Sequence, residues 1–165
     1  MRQDPVISSS PIDALYRSEW DRLVRLATLL TGHTGVAADI VQDAFVAVTD
    51  RLDSIDQPAA YLRSTVVNRC WSWQRRQHTE QRYLDRESPL VASRVQLPPE
   101  IDELWVAITT LPHKQRQLLV LRFYEDLPVD EIAALLGRPV GTVKAQIHRA
   151  VRTLKNHLES KGLST

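Results

Sequence analysis

Cysteine, glycine and long apolar runs are scarce in this chain of 165 residues. The single cysteine, Cys70, has no partner for an internal disulfide, which favours a reducing compartment. No stretch of about 18 apolar residues is present, so a membrane-spanning helix is excluded. The polar first eleven residues lack the apolar core of a signal peptide. We therefore predict a cytoplasmic protein without membrane insertion.

Signals for catalysis and metal binding are also missing. The five histidines include no pair at the spacing of metal ligands, and the five glycines form no phosphate-binding loop. Cys70 falls on a predicted apolar helix face, which favours a buried structural thiol over a nucleophile. No nucleophile with a neighbouring base is recognisable. We predict that the chain is not an enzyme and uses no metal or cofactor.

The net charge of +1 hides an asymmetry along the chain. Residues 1–60 carry five basic and nine acidic side chains, residues 61–100 carry seven and four, and residues 101–165 carry nine and seven. An acidic first part followed by basic segments predicts two kinds of partner, one of them a polyanion. The hydrophobic content of 43% is typical of a globular protein.

The hydrophobic pattern predicts an all-α fold of two small helical domains joined by a flexible linker. Apolar residues recur at helical spacing over about 12–30, 36–52 and 59–77, which predicts a first domain at 12–78. Residues 79–99 contain three prolines and no clear period, so we interpret them as the linker. Further helical patterns predict a second domain at 100–160. We expect residues 1–11 to be disordered and 161–165 to form a short tail.

The segment from Val129 to Leu158 has the pattern of a helix-turn-helix. Gly137 ends the first helix at a position where a turn favours positive φ, and Pro139 opens the next helix without losing a needed N–H. Six of the seven charged side chains from Arg138 onward are basic. A basic second helix in this motif indicates DNA binding.

Early residues of the second helix in such motifs reach base edges in the major groove. Lys144 and Arg149 are candidates for phosphate or guanine, and Gln146 is a candidate for adenine. The predicted duplex-DNA contacts are Arg138, Thr142, Lys144, Ala145, Gln146, His148, Arg149 and Arg152.

Two other helix faces carry unusual side chains. Ser64, Asn68, Trp71 and Arg75 share a face of the third helix and offer an amide, an indole and a guanidinium, the groups that bind a splayed single strand. A solvated face with one isolated tryptophan is the alternative. The second helix carries a stripe that can dock a basic partner helix, although composition alone favours an ordinary solvated face. This stripe consists of Asp39, Gln42, Asp43 and Val46.

Together these motifs resemble the sigma-70 family of bacterial RNA polymerase sigma factors, in its extracytoplasmic-function (ECF) group. The segment LPHKQRQLLVLRFYEDLPVDEIAALLGRPVGTVKAQIHRA resembles region 4 of the family, and its GTVK followed by HRA is a specific signal. ADIVQDAF resembles region 2.2, and the segment from Tyr61 through Asn68 resembles regions 2.3 and 2.4.

The resemblance implies a role for each face. The stripe at Asp39, Gln42 and Asp43 would dock on the clamp helices of the β′ subunit. The loop at 52–60 would capture a base flipped from the −10 element, and Asn68, with Trp71 and Ser72 one turn further, would read that element. The helix-turn-helix would read the −35 element as duplex.

The resemblance also implies partners. These are the RNA polymerase core, through its β′ and β subunits, and promoter DNA in duplex and single-stranded form. The linker would run through the polymerase active-site cleft and the RNA exit channel. Many members of the family are held by an anti-sigma factor, and no residue here identifies one.

The chain departs from the family pattern at three places. Ala145-Gln146 stands where Ser-Arg is common, which removes a possible bidentate guanine contact and predicts a different −35 sequence. Pro128 replaces the serine that usually caps the next helix. Tyr61 stands at a tryptophan position, and tryptophans occur at 71 and 73 instead, so the usual −10 specificity does not transfer.

Two other classes of protein compete with the sigma-factor interpretation. A helix-turn-helix repressor or activator would dimerise on a palindrome without polymerase, which would leave the acidic stripe and the single-strand face unused. A recombinase would use the helix-turn-helix for targeting, but it requires a catalytic site that the sequence does not show.

Overall fold

The computed structural model describes residues 10–84 and 103–162. Within these ranges it contains helices and no strand, as the sequence predicts. The expectations for the first nine residues, for 85–99 of the linker and for the last three residues lie outside the described part. The α-helices are α1 (Pro11–Thr31), α2 (Thr34–Thr49), α3 (Pro58–Leu84), α4 (Glu103–Thr109), α5 (His113–Leu119), α6 (Val129–Leu136) and α7 (Val140–Ser160).

Helices α1, α2 and α3 pack on one another in the first half of the chain. Pro11 opens α1, and the Ser10 N–H donates to the Asp13 carboxylate at 3.2 Å, which satisfies a donor at the helix start. Gly32, at φ 80°, ends α1. The buried apolar side chains include Leu23, Leu26, Leu30, Val41, Val48, Leu62 and Val66.

Helix α3 is longer than the pattern predicts. It continues to Leu84, whereas the apolar period ends near Gln77. The additional turns consist largely of polar and charged residues that favour helix, and the next proline is Pro89. Helix propensity therefore extends α3 into the segment that was predicted to be linker.

Helices α4 to α7 form the second half, with a core of Leu118, Leu121, Ile132, Val143 and Ile147. A π turn, Val120–Tyr124, follows α5 directly. Because a π turn holds an extra residue, it shifts the register of the helix face. Phe123 is consequently 54% exposed.

The two halves pack against each other, because α1 contacts both α5 and the π turn. The buried apolar side chains of both halves form one continuous cluster. In the described ranges, no helix combines the length and apolar character needed to cross a membrane.

Cys70 is only 1% exposed, and this burial raises the pKa of its thiol to about 12. We expect the native protein to react only slowly with a maleimide at pH 8, since the thiolate is the nucleophile. The reaction should become fast in denaturant. An introduced cysteine at the exposed position Asn156 provides the control, and equal labelling rates of Cys70 and this introduced cysteine in the folded protein would contradict this assignment.

Candidate nucleic-acid and protein interfaces

The acidic stripe of α2 lies entirely at the surface. Asp39, Gln42, Asp43 and Val46 are exposed, and Val46 retains 66% of its accessible surface. The opposite face of α2 is buried against α1 and α3, so this stripe is fixed on a rigid helix. Asp43 Oδ2 lies 3.9 Å from Arg69 Nη1 on α3, a loose surface contact. The stripe therefore presents two carboxylates, an amide and an aliphatic side chain to solvent.

The predicted single-strand face of α3 is less open than the pattern suggests. Asn68 and Arg75 are exposed, but Ser64, Trp71 and Ser72 are half-buried. The Trp71 ring lies 5.3 Å from the guanidinium carbon of Arg138 and 6.3 Å from the His113 ring, both in the second half of the chain. The indole is therefore covered by the second half rather than exposed as an isolated side chain.

Further along α3, an open groove of about 570 Å³ contains two guanidinium groups. Its lining residues are Ser72, Arg75, Arg76, Thr79 and Glu80. Arg75 and Arg76 make this groove suitable for a phosphate backbone. The predicted residues Ser72 and Arg75 thus share one surface feature.

The loop before α3 places a cation beside an aromatic side chain of α3, a contact that the sequence pattern does not indicate. Arg51 Nη1 donates to the Tyr61 hydroxyl at 3.2 Å, and its guanidinium carbon lies 5.7 Å from the Tyr61 ring centre. A short 3₁₀ turn, Leu52–Ser54, lies between them in the chain. A ring beside a cation is a surface on which an unstacked base can stack.

The turn of the helix-turn-helix has the predicted geometry. Gly137 has φ 62° and ends α6, and the Arg138 N–H donates to the Ala133 carbonyl at 2.9 Å. Pro139 precedes α7 as its cap residue. Pro128 caps α6 without a side-chain hydrogen bond, as the missing serine predicts.

Replacing Gly137 with valine should destabilise the second half by about 1–2 kcal/mol, because a branched side chain disfavours the left-handed backbone. No other atom lies within 4 Å of the added Cβ, so the penalty comes from the backbone and not from a clash. Thermal unfolding measures the change. Gly141→Ala, inside α7 and equally uncrowded, is the matched control and should be neutral or stabilising. Equal stability of the two variants would contradict the role of the turn.

Helix α7 packs on the core through Val143, Ile147 and Ala150 and turns its other face to solvent. Arg138 and Gln146 are half-buried, and Arg138 Nη1 donates to Gln146 Oε1 at 3.1 Å. The remaining predicted DNA contacts are all exposed, namely Thr142, Lys144, Ala145, His148, Arg149 and Arg152.

A cleft of about 170 Å³ joins α7 to the start of α5. Gln146 and Arg149 line it together with Lys114, Gln115 and Leu118. Lys114 therefore adds a cation beside the predicted reading face. The sequence pattern does not indicate this role, because Lys114 lies fifteen positions before the helix-turn-helix and only the folded chain brings the two together.

His113 lies where the two halves meet. Its ring is 6.2 Å from that of His78 and 6.3 Å from that of Trp71, both on α3. Burial lowers the pKa of His113, and the neighbouring charges of Arg116, Lys114 and His78 lower it further. The neutral imidazole is therefore favoured in this packing. Among the described residues, no three side chains are grouped as a metal site.

Comparison with known proteins identifies both halves. Residues 15–80 match the family description Sigma-70 region 2, and residues 101–154 match Sigma-70, region 4. The RNA polymerase sigma-E factor of Streptomyces avermitilis is 32% identical over 151 residues, which cover 89% of this chain and 84% of that protein. The chain belongs to the sigma-70 family, in its ECF group. This sigma factor is also 30% identical to the ECF RNA polymerase sigma factor SigW of Bacillus subtilis over 158 residues, which cover 84% and 83% of the two chains.

Solved structures share the fold of this sigma factor. The sigma factor RpoE, in its complex with the anti-sigma factor NepR from Bartonella quintana, has a TM-score of 0.68 at 21% identity, covering 88% of this chain and 95% of that one. CnrH, in complex with the cytosolic domain of CnrY, has a TM-score of 0.61 at 24% identity, covering 90% and 88%.

Membership of the family decides among the three classes of protein that the sequence left open. The chain is a sigma factor that initiates transcription with RNA polymerase, and the interpretations as a repressor and as a recombinase are set aside. Sigma factors are regulatory subunits of the polymerase and not enzymes by themselves.

Proposed function

We propose that this sigma factor directs RNA polymerase to promoters through three separate faces. The stripe on α2 docks on the β′ clamp helices of the core enzyme. The face of α3, with the loop before it, holds the −10 element as a single strand. The exposed face of α7 reads the −35 element as duplex. The protein acts in the cytoplasm, where the polymerase is.

The observation that carries the proposal is the orientation of α7. Six of its residues that were predicted to contact DNA are exposed, and its apolar residues fasten the helix to the core behind them. The exposed set includes Lys144, Arg149 and Arg152, so the face is basic. A rigid helix that follows a tight turn fits the width of the major groove, and its basic side chains complement the negative charge of the DNA.

Docking on the core enzyme is supported by the charge and shape of α2. Two carboxylates flank an amide, and Val46 adds an apolar contact at the end of the stripe. Such a surface suits a partner helix that carries arginine or lysine next to an aliphatic side chain.

Capture of the −10 element is supported by chemistry near the 52–60 loop. Extracting a base from the duplex costs a few kcal/mol of stacking, which contacts to the open strand must offset. Stacking on an aromatic ring contributes about 1–3 kcal/mol per base. Tyr61 with Arg51 offers one such surface, and Trp71 offers another once it is uncovered.

Run-off transcription tests the proposal. Core polymerase of the source organism is assayed on genomic fragments with and without the protein. We expect discrete new start sites that require the protein, preceded by two common sequence elements. No new start with active core, combined with tight duplex binding by the free protein, would overturn the proposal.

Regulation by an anti-sigma factor remains a prediction for this chain. RpoE and its anti-sigma factor NepR form one complex in the structure named above. Purification of a tagged copy from the source organism, before and after stress, would reveal a stoichiometric partner.

A further inference from the structure

We propose that Arg138 positions the side-chain amide of Gln146, and that Gln146 consequently reads guanine or thymine in the −35 element and not adenine. Arg138 lies in the turn of the helix-turn-helix, and Gln146 lies on α7. The inference rests on the proposed function, because it requires that α7 reads the −35 element as duplex. It names the class of base edge that this position of α7 recognises.

The hydrogen bond between the two side chains fixes which end of the amide faces Arg138. Arg138 Nη1 donates to Gln146 Oε1 at 3.1 Å. A guanidinium has N–H donors and no acceptor, so only the oxygen of an amide can pair with it. The Nε2 group of Gln146, which carries the N–H donors, is therefore directed away from Arg138.

The backbone of the turn fixes the place of Arg138. Gly137 precedes it at φ 62°, and the Arg138 N–H donates to the Ala133 carbonyl at 2.9 Å. Pro139 follows with φ −60°, a value that its ring imposes. Both partners of the side-chain hydrogen bond belong to the helix-turn-helix itself. The bond is therefore independent of the contact that Arg138 makes with Trp71 in the first half.

Gln146 lies at the margin of the exposed face of α7. Val143, Ile147 and Ala150 fasten the helix to the core, whereas Gln146 is half-buried. It lines the cleft of about 170 Å³ together with Arg149, whose side chain is exposed. An amide in this place can contact a base edge next to the one that Arg149 contacts.

The orientation of the amide decides which base edge it recognises. An amide recognises adenine when its oxygen accepts from N6 and its nitrogen donates to N7 in one plane. The oxygen of Gln146 is held by Arg138, so this contact would require the loss of the hydrogen bond between them. Guanine presents O6 and N7 in the major groove and thymine presents O4. These atoms are acceptors, and they need only the Nε2 donor.

The charge of Arg138 reinforces this preference. A cation bonded to the oxygen of an amide polarises the group, and its N–H bonds become better donors. The charged side chains that line the cleft, Lys114 and Arg149, are donors as well. The surface around Gln146 is therefore complementary to a base edge that carries acceptors. The amino groups of adenine and cytosine would face donors there and stay unpaired.

A promoter library tests the inference with the complete holoenzyme. The starting promoter is one found by run-off transcription, every −35 position is varied to every base, and barcoded transcripts are counted. The position at which Gln146→Ala removes the base preference is the one that Gln146 reads. There the unaltered chain should favour guanine or thymine over adenine about fivefold or more. Adenine as the preferred base, or no position that responds to Gln146→Ala, would overturn the inference.

Arg138→Ala tests the positioning role directly. Without the guanidinium the amide can turn over and make both adenine contacts, so adenine should gain about fivefold relative to guanine or thymine at that position. A merely structural role of Arg138 would lower activity with all bases alike. An unchanged base preference in Arg138→Ala would refute the positioning role.

Gln146→Glu tests the same geometry from the other side. One carboxylate oxygen should keep the bond to Arg138, and the other should present an acceptor to the base. The preference should then move to adenine or cytosine, whose amino groups donate in the major groove. A preference for guanine or thymine that persists in Gln146→Glu would contradict recognition through the Nε2 donor.

Arg152→Ala is the matched control for the lost charge. Arg152 is exposed further along α7. Its loss should weaken initiation on all −35 variants alike and leave the preference at the Gln146 position as it is. An equal change of preference in Arg152→Ala and Arg138→Ala would count against positioning by Arg138. Failure of the proposed function would appear differently, as initiation by the unaltered chain that is indifferent to every −35 base.

Discussion

Replacing Asp43 with arginine should weaken binding of core polymerase more than about a hundredfold and abolish transcription that depends on the sigma factor. The side chain is exposed in the middle of the α2 stripe, so a reversed charge would face the basic groups of the partner helix. Like charges across an interface cost several kcal/mol. The fold should survive, because within residues 10–84 and 103–162 Asp43 forms one ion-pair contact, the loose one to Arg69. Gel filtration with core enzyme and multiple-round transcription measure the effect.

Asp21→Arg is the matched control for this substitution. Asp21 is exposed on α1, in the same half of the chain, but it lies outside the stripe. We expect core binding close to that of the unaltered protein. Normal transcription by Asp43→Arg, or an equal loss in both variants, would contradict docking through α2.

Replacing Arg149 with alanine should weaken binding to promoters with a −35 element by about 1–3 kcal/mol, the usual cost of losing a base contact. Initiation at these promoters should fall accordingly. Arg149 is exposed on α7 and lines the cleft that Lys114 shares. The loss should be greatest at one base position, since a guanidinium reads one base edge. Run-off transcription from promoters with single changes in the −35 element locates that position.

Lys155→Ala separates base reading from backbone contact. Lys155 lies further along α7, is highly exposed and approaches Glu159 at 3.9 Å. Its loss should weaken binding uniformly across −35 sequences and reduce the salt dependence by about one counterion. An Arg149→Ala variant that loses as much activity on promoters without a −35 element would refute the reading role.

The sequence predicts the helices well where one face is buried and the caps are standard. Gly32 and Gly137 end helices at positive φ, as turn chemistry requires, and Pro139 stands at the start of α7. The exposed stripe of α2 also follows directly from its period, because the intervening residues form the core. These features depend on local patterns, which a single sequence contains.

Long-range contacts are the part that could not be predicted. Nothing in the spacing of Glu125 indicates that Arg22 and Arg63 will cover it, since it lies 103 positions after Arg22. The sequence pattern predicts an exposed Trp71 indole, because Arg138, which covers it, lies in the other half of the chain. The π turn has no recognisable pattern either, and it displaces Phe123 to the surface and leads directly to Glu125.

Both sides of the interface between α1 and the second half belong to one polypeptide, and this has a consequence for its dependence on concentration. An intramolecular contact has a fixed effective concentration, which dilution does not alter. The ion pair between Arg22 and Glu125 therefore does not depend on the concentration of the chain, unlike a contact between two copies.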